Sequence, residues 1–267
     1  MPQTINTNLA SLNAQRNLNT SQNALSVSMQ RLSSGMRINS ARDDAAGLAI
    51  ATRMDAQVRG MNVAVRNAND GISLAQTADG ALATVTDALQ RMRELSVQAQ
   101  NGSNGTSDRA NLDTEYQQLS QEITRIAAQT KFNGTAIVGA SAGAQVFHVG
   151  ANAGDTLTVT TTTVTTVGGG LTTAAAASTA LAAIDVALDT INTSRASYGA
   201  AMSRFSFAIT NLAIGSEAQA AAKSRIMDAD FAAETSSLSR AQILQQAGQA
   251  IVSQANQLPN GVMQLLR

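Results

Sequence analysis

His148 is the only histidine in the chain and there is no cysteine. The residue types that most often bind metals or act as nucleophiles are therefore almost missing. No His-Glu-x-x-His string occurs, and a single imidazole does not make a zinc centre of the usual kind. Lying in a stretch that reads as strand, His148 is expected to be structural. Asp43 and Asp44 are adjacent, and adjacent positions on a helix do not face each other, so capping is expected of them and not paired acid catalysis. No catalytic residue, metal ligand or cofactor is expected. The chemistry that can be read here is the burial of apolar surface.

Two ends of the chain carry that chemistry. In the stretch Leu238 to Arg267, Leu244, Ile251, Leu258 and Leu265 fall seven apart, with Ala247 and Gln254 between them. This is a narrow apolar seam with polar flanks, the pattern of a helix that buries one edge against other helices. Near the start, Leu18, Leu25 and Leu32 form a matching seam, interleaved with Met29 and Met36. The two are expected to pair, with the rest of the chain looped out between them. Such a pair is thin, so much of its burial has to come from other copies of the chain.

Composition agrees with a helical frame. Of 267 residues, 44% are hydrophobic but only 3% aromatic, with no Trp. A core then has to be built from Ala, Leu, Ile, Val and Met, which suits close-packed helices better than a sandwich or a ring-lined cleft. The net charge is zero and the pI about 6.6, so nothing recruits nucleic acid or an anionic membrane. The absence of Cys excludes disulfide scaffolds and thiolate sites. No charged head followed by an apolar core marks residues 1–30, so no Sec signal peptide is expected. No run of about 18 apolar residues suggests a bilayer crossing.

The elements follow from periodicity. Residues 4–34 read as helix, stopped by Gly35 in the left-handed position. A short extended piece, Met36 to Asn39, precedes Ser40, expected as N-cap with Asp43 closing a capping box and Asp44 adding charge to the first turn. The next helix runs to about Gln100. Val58, Val65 and Ile72 form one row, and Met61, Ala68, Ala75, Leu82 and Leu89 the other. Gly71 and Gly80 oppose it, each costing about 1 kcal/mol relative to Ala, but the rows keep phase across both. After a loop at 101–105, Ser107 or Asp108 is expected to cap a helix containing Leu112, Tyr116, Leu119, Ile123 and Ile126 and ending near Thr130. The period then changes to alternation in Ala136–Val138, Gln145–Val149 and Thr156–Val164, with turns at Asn133-Gly134 and 152–155, giving one or two small hairpins. Thr160–Thr166 and Gly168–Gly170 read as an exposed tip. From Leu181 a four-three pattern resumes to Ile226, and a break at 227–230 precedes the terminal seam. The fold class is mainly α: a long antiparallel helical bundle with the N- and C-terminal helices paired as a coiled coil, plus a small β-hairpin region.

Long motifs at both ends closely resemble bacterial flagellin. They are Ile5-Asn6-Thr7-Asn8, Arg31-Leu32-Ser33-Ser34-Gly35-Met36-Arg37-Ile38-Asn39-Ser40, Asp43-Asp44-Ala45-Ala46-Gly47 and Arg66-Asn67-Ala68-Asn69-Asp70-Gly71-Ile72-Ser73 at the front. At the back stand Ser239-Arg240-Ala241-Gln242-Ile243-Leu244-Gln245-Gln246-Ala247-Gly248 and Gln254-Ala255-Asn256-Gln257. The resemblance implies an extracellular subunit of the flagellar filament, polymerising with itself for motility and exported by the flagellar type III apparatus. It implies an inner core domain from 1–40 and 228–267, outer-tube helices at 41–130 and 179–227, and a hairpin and exposed loop at 131–178 in place of a variable domain. The implied partners are sister copies, an export chaperone, the filament cap protein, the hook–filament junction protein and host innate receptors. There is no nucleic acid or membrane insertion among them, and no enzyme activity. The hook–filament junction protein, which shares the terminal architecture, is the alternative identity. A secreted enzyme or adhesin on the same frame would need a larger middle than 131–178.

The resemblance also implies roles for single residues. Leu18, Leu25, Leu32, Leu244, Ile251, Leu258 and Leu265 would pack the filament core. Arg91, Leu95 and Glu115 match positions recognised by Toll-like receptor 5 in several flagellins, or else serve packing between subunits. Val262, Met263, Leu265 and Leu266 stand where an export chaperone and cytosolic innate receptors bind, Met263 replacing a frequent Leu. Thr161, Thr162 and Thr163 would be acceptors of O-linked glycans, or simply the polar face of a loop.

Overall fold

The computed structural model describes residues 7–139, 143–164 and 167–264, with side chains up to residue 257. The helices are α1 (Leu9–Ser34), α2 (Ala45–Gln100), α3 (Thr106–Gln129), α4 (Ala174–Met227) and α5 (Phe231–Gln264). Between α3 and α4 lie strands β1 (Lys131–Phe132), β2 (Thr135–Ala136), β3 (Ala144–His148) and β4 (Thr156–Thr160), forming two separate antiparallel hairpins, β1–β2 and β3–β4. The fold is mainly α, as the periodicity predicts. The chain divides into two compact units, residues 1–56 with 218–267 and residues 57–217. These divisions fall inside α2 and α4, whereas the sequence breaks fall near 40 and 227.

In the first unit α1 and α5 pack antiparallel. Asn8 caps α1, its Oδ1 accepting the Ser11 N–H at 3.0 Å, so the helix starts at Leu9, while 4–6 of the expected helix lie outside the described residues. Gly35 ends it with φ 71°, the left-handed conformation that a side chain disfavours. The piece after it pairs with the connection between α4 and α5. The Arg37 N–H donates to the Met227 carbonyl at 2.6 Å and the Ala229 N–H to the Gly35 carbonyl at 2.9 Å.

The start of α2 differs from expectation. Asp43 Oδ2 accepts the backbone N–H groups of Asn39 (3.1 Å) and Ser40 (2.9 Å) and the Ser40 hydroxyl, closing a turn at 41–43 instead of a helical one. Asp44 is the cap: its Oδ1 accepts the Gly47 N–H at 2.8 Å, one of the donors that a helix start leaves unpaired. Lys223 Nζ meets Asp55 Oδ1 at 2.5 Å across the two helices that complete this unit.

The second unit holds the main core. Leu82, Leu89, Met92 and Leu95 of α2 pack with Tyr116 and Ile123 of α3 and with Ile184, Tyr198 and Phe205 of α4. α2 passes through Gly71 and Gly80 without a break. Neither Ser107 nor Asp108 is the N-cap residue of α3, although Asp108 closes its capping box. Its N-cap is Gly105, whose N–H donates to Asp108 Oδ2 at 3.0 Å. The β1–β2 turn has positive φ at Asn133 (47°) and Gly134 (81°), the geometry that favours Asn-Gly in tight hairpins. Across β3–β4, Ala144 pairs with Thr160 and His148 with Thr156. Phe147 points inward and meets Phe205 edge-on, with ring centroids 5.5 Å apart.

Two further expectations change. α4 begins at Ala174, where Thr173 Oγ1 accepts the Ala176 N–H, several residues before the apolar rows become legible. By length and hydropathy alone α4 is also able to cross a membrane, with a mean hydropathy of 1.4 over 18 residues. Its Ile184, Ile191 and Tyr198 are buried in the core, and Arg195 and Asp185 are ion-paired to Asp79 and Arg93. Of that apolar 18-residue stretch 22% is buried, so one face of α4, and not the whole helix, lies in the core.

Candidate functional site

The surface between α1 and α5 mixes small residues with Leu and Val. On α1 the inward row is Ser11, Ala14, Leu18, Ser21, Leu25, Ser28 and Leu32, each buried or half-buried. On α5 it is Glu234, Leu238, Ala241, Gln245, Gly248, Val252 and Ala255. Both rows alternate three and four apart, which is coiled-coil spacing. A β-carbon on Gly248 would stand 3.1 Å from Leu18 Cδ1, so the helices approach closely there. Polar bonds fix the register. Asn8 Nδ2 donates to the Ala255 carbonyl at 2.7 Å, the Ser11 hydroxyl donates to Asn256 Oδ1 at 2.7 Å, and Arg31 lies 3.7 Å from Glu234.

Leu18, Leu25 and Leu32 therefore face α5, as expected of a seam. Leu244 and Ile251 are not in the row packed against α1, although Leu244 borders a shallow groove whose other wall is Thr20, Ser21 and Ala24 of α1. They are 51% and 56% exposed, standing on the flank of α5 one helical position from the row that packs. Leu9, Leu12, Val27, Met29 and Ile243 are exposed as well. A soluble chain rarely leaves so many large apolar side chains uncovered on one thin element. What sequence reading missed was the second row on α5. Its signal was available: Ala241, Gly248 and Ala255 repeat seven apart, but small residues carry little weight when large apolar ones are sought. Leu258, Val262 and Met263 have side chains outside the described residues, and Leu265 and Leu266 lie outside them altogether.

Many residues of the terminal motifs occupy tight or bonded positions. Asn8, Ala255 and Asn256 join the two ends. Ser34 Oγ accepts the Met36 N–H and the Asn39 side-chain amide. Gly47 has no space for a side chain, with Ile38 Cδ1 2.8 Å from where its β-carbon would be. Gly71 is covered by the Phe205 ring.

Arg91 and Glu115 come together as an exposed ion pair between α2 and α3. Arg91 Nε donates to Glu115 Oε1 at 2.9 Å and Nη1 to Glu94 Oε2 at 2.9 Å. The hydrogen bond to Glu115, then that to Glu94, raises the guanidinium pKa above its ordinary value. Leu95 is buried, only 1% exposed, so its side chain supports this surface from beneath and is not itself available to a partner. Nearby, Arg93 pairs with Asp185 at 2.7 Å.

The described residues of the 161–171 stretch, 161–164 and 167–171, are not a free tip, and 165–166 lie outside the described residues. Thr161 is buried, its hydroxyl accepting the Gly143 N–H and donating to the Gly143 carbonyl, each at 2.7 Å. A sugar on this oxygen would remove the proton it donates to Gly143 and would need space that a buried residue lacks. The Thr162 N–H donates to the Tyr198 hydroxyl. Of the three threonines only Thr163 is exposed. Val167 and Leu171 are buried, and the Leu171 N–H donates to Asp113 at 2.6 Å, which ties the segment down. The His148 side chain is exposed and its carbonyl accepts from Asn67 at 3.0 Å. Among the described residues no group of three His, Asp or Glu side chains is placed to hold a metal.

Comparison with known proteins accounts for both ends of this arrangement. The model of the bacterial flagellin N-terminal helical region matches residues 5–142, and that of the C-terminal helical region matches residues 181–266. The chain is 44% identical over 270 residues to a flagellin of Halalkalibacterium halodurans, covering 98% of this chain and 99% of that one. It is 40% identical over 313 residues to a flagellin of Xenorhabdus nematophila, covering the whole of both. The crystal structure of Bacillus cereus flagellin matches 55% of this chain and 88% of its own, at 35% identity and a TM-score of 0.52. The chain belongs to the bacterial flagellin family, whose members are subunits of the extracellular flagellar filament.

Proposed function

We propose that the outward flanks of the α1–α5 pair, with Leu244 and Ile251 at their centre, are buried between sister copies and drive polymerisation into a motile filament. The observation that carries this reading is the exposure of both residues on a helix whose other side is already packed. Ordering costs about 1–2 kcal/mol per residue, and a pair in which half of the facing residues are Ser, Ala or Gly buries little apolar area to offset it. Neighbours supply the remainder, so assembly is cooperative. Residues 1–40 and 228–267 would form the inner core of the filament, 41–130 and 179–227 the surrounding wall, and 131–178 the reduced outer region. Leu258 and Leu265 extend the flank of α5 in sequence.

Export through the flagellar type III apparatus, an export chaperone holding Val262, Met263, Leu265 and Leu266, a cap protein at the growing tip and a junction protein at the base belong to the same reading. Their physical motive is the hazard of a free helix with an exposed apolar row. The same terminal residues would serve cytosolic innate receptors, and the Arg91–Glu115 surface would serve Toll-like receptor 5, with Leu95 holding it in shape.

Ile251→Asp tests the central part. The variant is expected to be secreted and to leave no filament, because a charge cannot be desolvated at a packed contact without large cost. Filaments of normal length from that variant would contradict the proposal.

A further inference from the structure

All the sulfur in this chain is methionine: there are nine Met and no Cys. Among the described side chains Met61 and Met92 are buried, Met36, Met54, Met202 and Met227 are partly covered, and Met29 alone is exposed, at 53%. Met29 lies within α1, with Leu25 at i−4 and Leu32 at i+3 from the row that faces α5. It thus borders the α1–α5 seam, on a helix that also leaves Leu9, Leu12 and Val27 uncovered. In the unassembled chain its thioether is open to solvent. Under the reading above, a neighbour covers it once the filament forms.

We propose that Met29 is an oxidation site that controls assembly, taking a peroxide-class oxidant in the free subunit and blocking polymerisation as the sulfoxide. The Met29 sulfur donates a lone pair to one oxygen of hydrogen peroxide, the O–O bond breaks and an S–O bond forms. The other oxygen leaves as water with both protons. Sulfur is oxidised by two electrons and the peroxide reduced by two. The product replaces a flexible apolar side chain with a polar one, on a surface that needs to become dry. Reduction of the sulfoxide reverses the block. Subunits already in a filament are protected, since the sulfur is covered.

This inference rests on burial of the α1–α5 flanks between copies, and its test separates the two. Purified full-length monomer is treated with hydrogen peroxide, the added oxygen is located by peptide mass mapping, and elongation of filament seeds is followed by light scattering. Met29→Leu, which keeps the bulk and the apolarity, is treated alongside. The expected result is that wild type takes oxygen at Met29 before any other methionine between residues 7 and 257 and elongates at least about tenfold more slowly, the scale of an unpaired polar group forced out of water. Treated Met29→Leu keeps its rate, and a methionine sulfoxide reductase restores wild type. Undiminished elongation by chains oxidised at Met29, earlier oxidation of another methionine between residues 7 and 257, or equal inhibition of Met29→Leu would each overturn the inference. If untreated wild type does not elongate seeds, the assembly reading itself fails, and that outcome is visible before any oxidant is added.

Discussion

The ring of Phe205 lies so close over Gly71 that a β-carbon on the glycine would stand 2.6 Å from Phe205 Cζ. Phe205 is fully buried and meets Phe147 edge-on from the second hairpin, so the ring has nowhere to retreat. Gly71→Ala gains about 1 kcal/mol of helix propensity but overpacks the core, which typically costs about 1–3 kcal/mol. The variant is expected to be less stable in urea denaturation. Combining it with Phe205→Leu should recover part of the loss, a coupling that a double-mutant cycle measures. Additive effects would contradict the contact.

Gly80 is the control within the same helix. It is exposed, and no atom lies within 4 Å of where its β-carbon would stand. Gly80→Ala should therefore stabilise the chain by about 0.5–1 kcal/mol, seen as a higher denaturation midpoint with an unchanged slope.

Asp43 supplies a pH prediction. The backbone N–H groups of Asn39 and Ser40, then the Ser40 hydroxyl, hold its carboxyl below the ordinary value. A carboxyl with a depressed folded-state pKa contributes stability that is fully present above the unfolded value of about 3.9 and is lost as pH falls through the folded value. The turn between α1 and α2 should thus be intact at neutral pH and loosen only in acid. An NMR titration of the Asp43 carboxyl carbon should give a midpoint below that of a free aspartate, and an ordinary midpoint would sink the assignment.

Much of the frame was legible because apolar rows keep phase over long helices. The continuity of α2 through Gly71, the left-handed Gly35 and the Asn133-Gly134 turn all followed from local rules. The start of α2 was not legible, because Asp43 and Asp44 are adjacent and both suit a cap. Only the geometry shows Asp43 closing a turn while Asp44 receives the Gly47 N–H. Thr161 read as exposed because polarity says nothing about which hydroxyl a loop folds onto its own backbone. On α5 the spacing of Leu244 and Ile251 was real, but spacing alone does not say whether a row faces its own chain or a neighbour. The row facing α1 is instead made of residues such as Ala241, Gly248 and Ala255, whose value is closeness and not bulk.

The Thr161 bonds lead to a further expectation. Any O-linked sugar on the three neighbouring threonines should map to Thr163, whose side chain is exposed, and not to Thr161. Fragmentation mass spectrometry of the secreted protein locates it. Thr161→Val should also destabilise the chain by about 1 kcal/mol, the usual worth of a hydrogen bond, and more if Gly143 is left unpaired.

Amide hydrogen exchange across 9–34 and 231–257, on one preparation before and after seeded polymerisation, tests the assembly account most directly. The account predicts fast exchange in both segments of the dilute monomer, while 57–100 stays protected, and strong protection of all three in the filament. Terminal segments already as protected in the monomer as in the filament would show that a single chain dries and orders them alone, and would contradict the claim that neighbouring copies complete the fold.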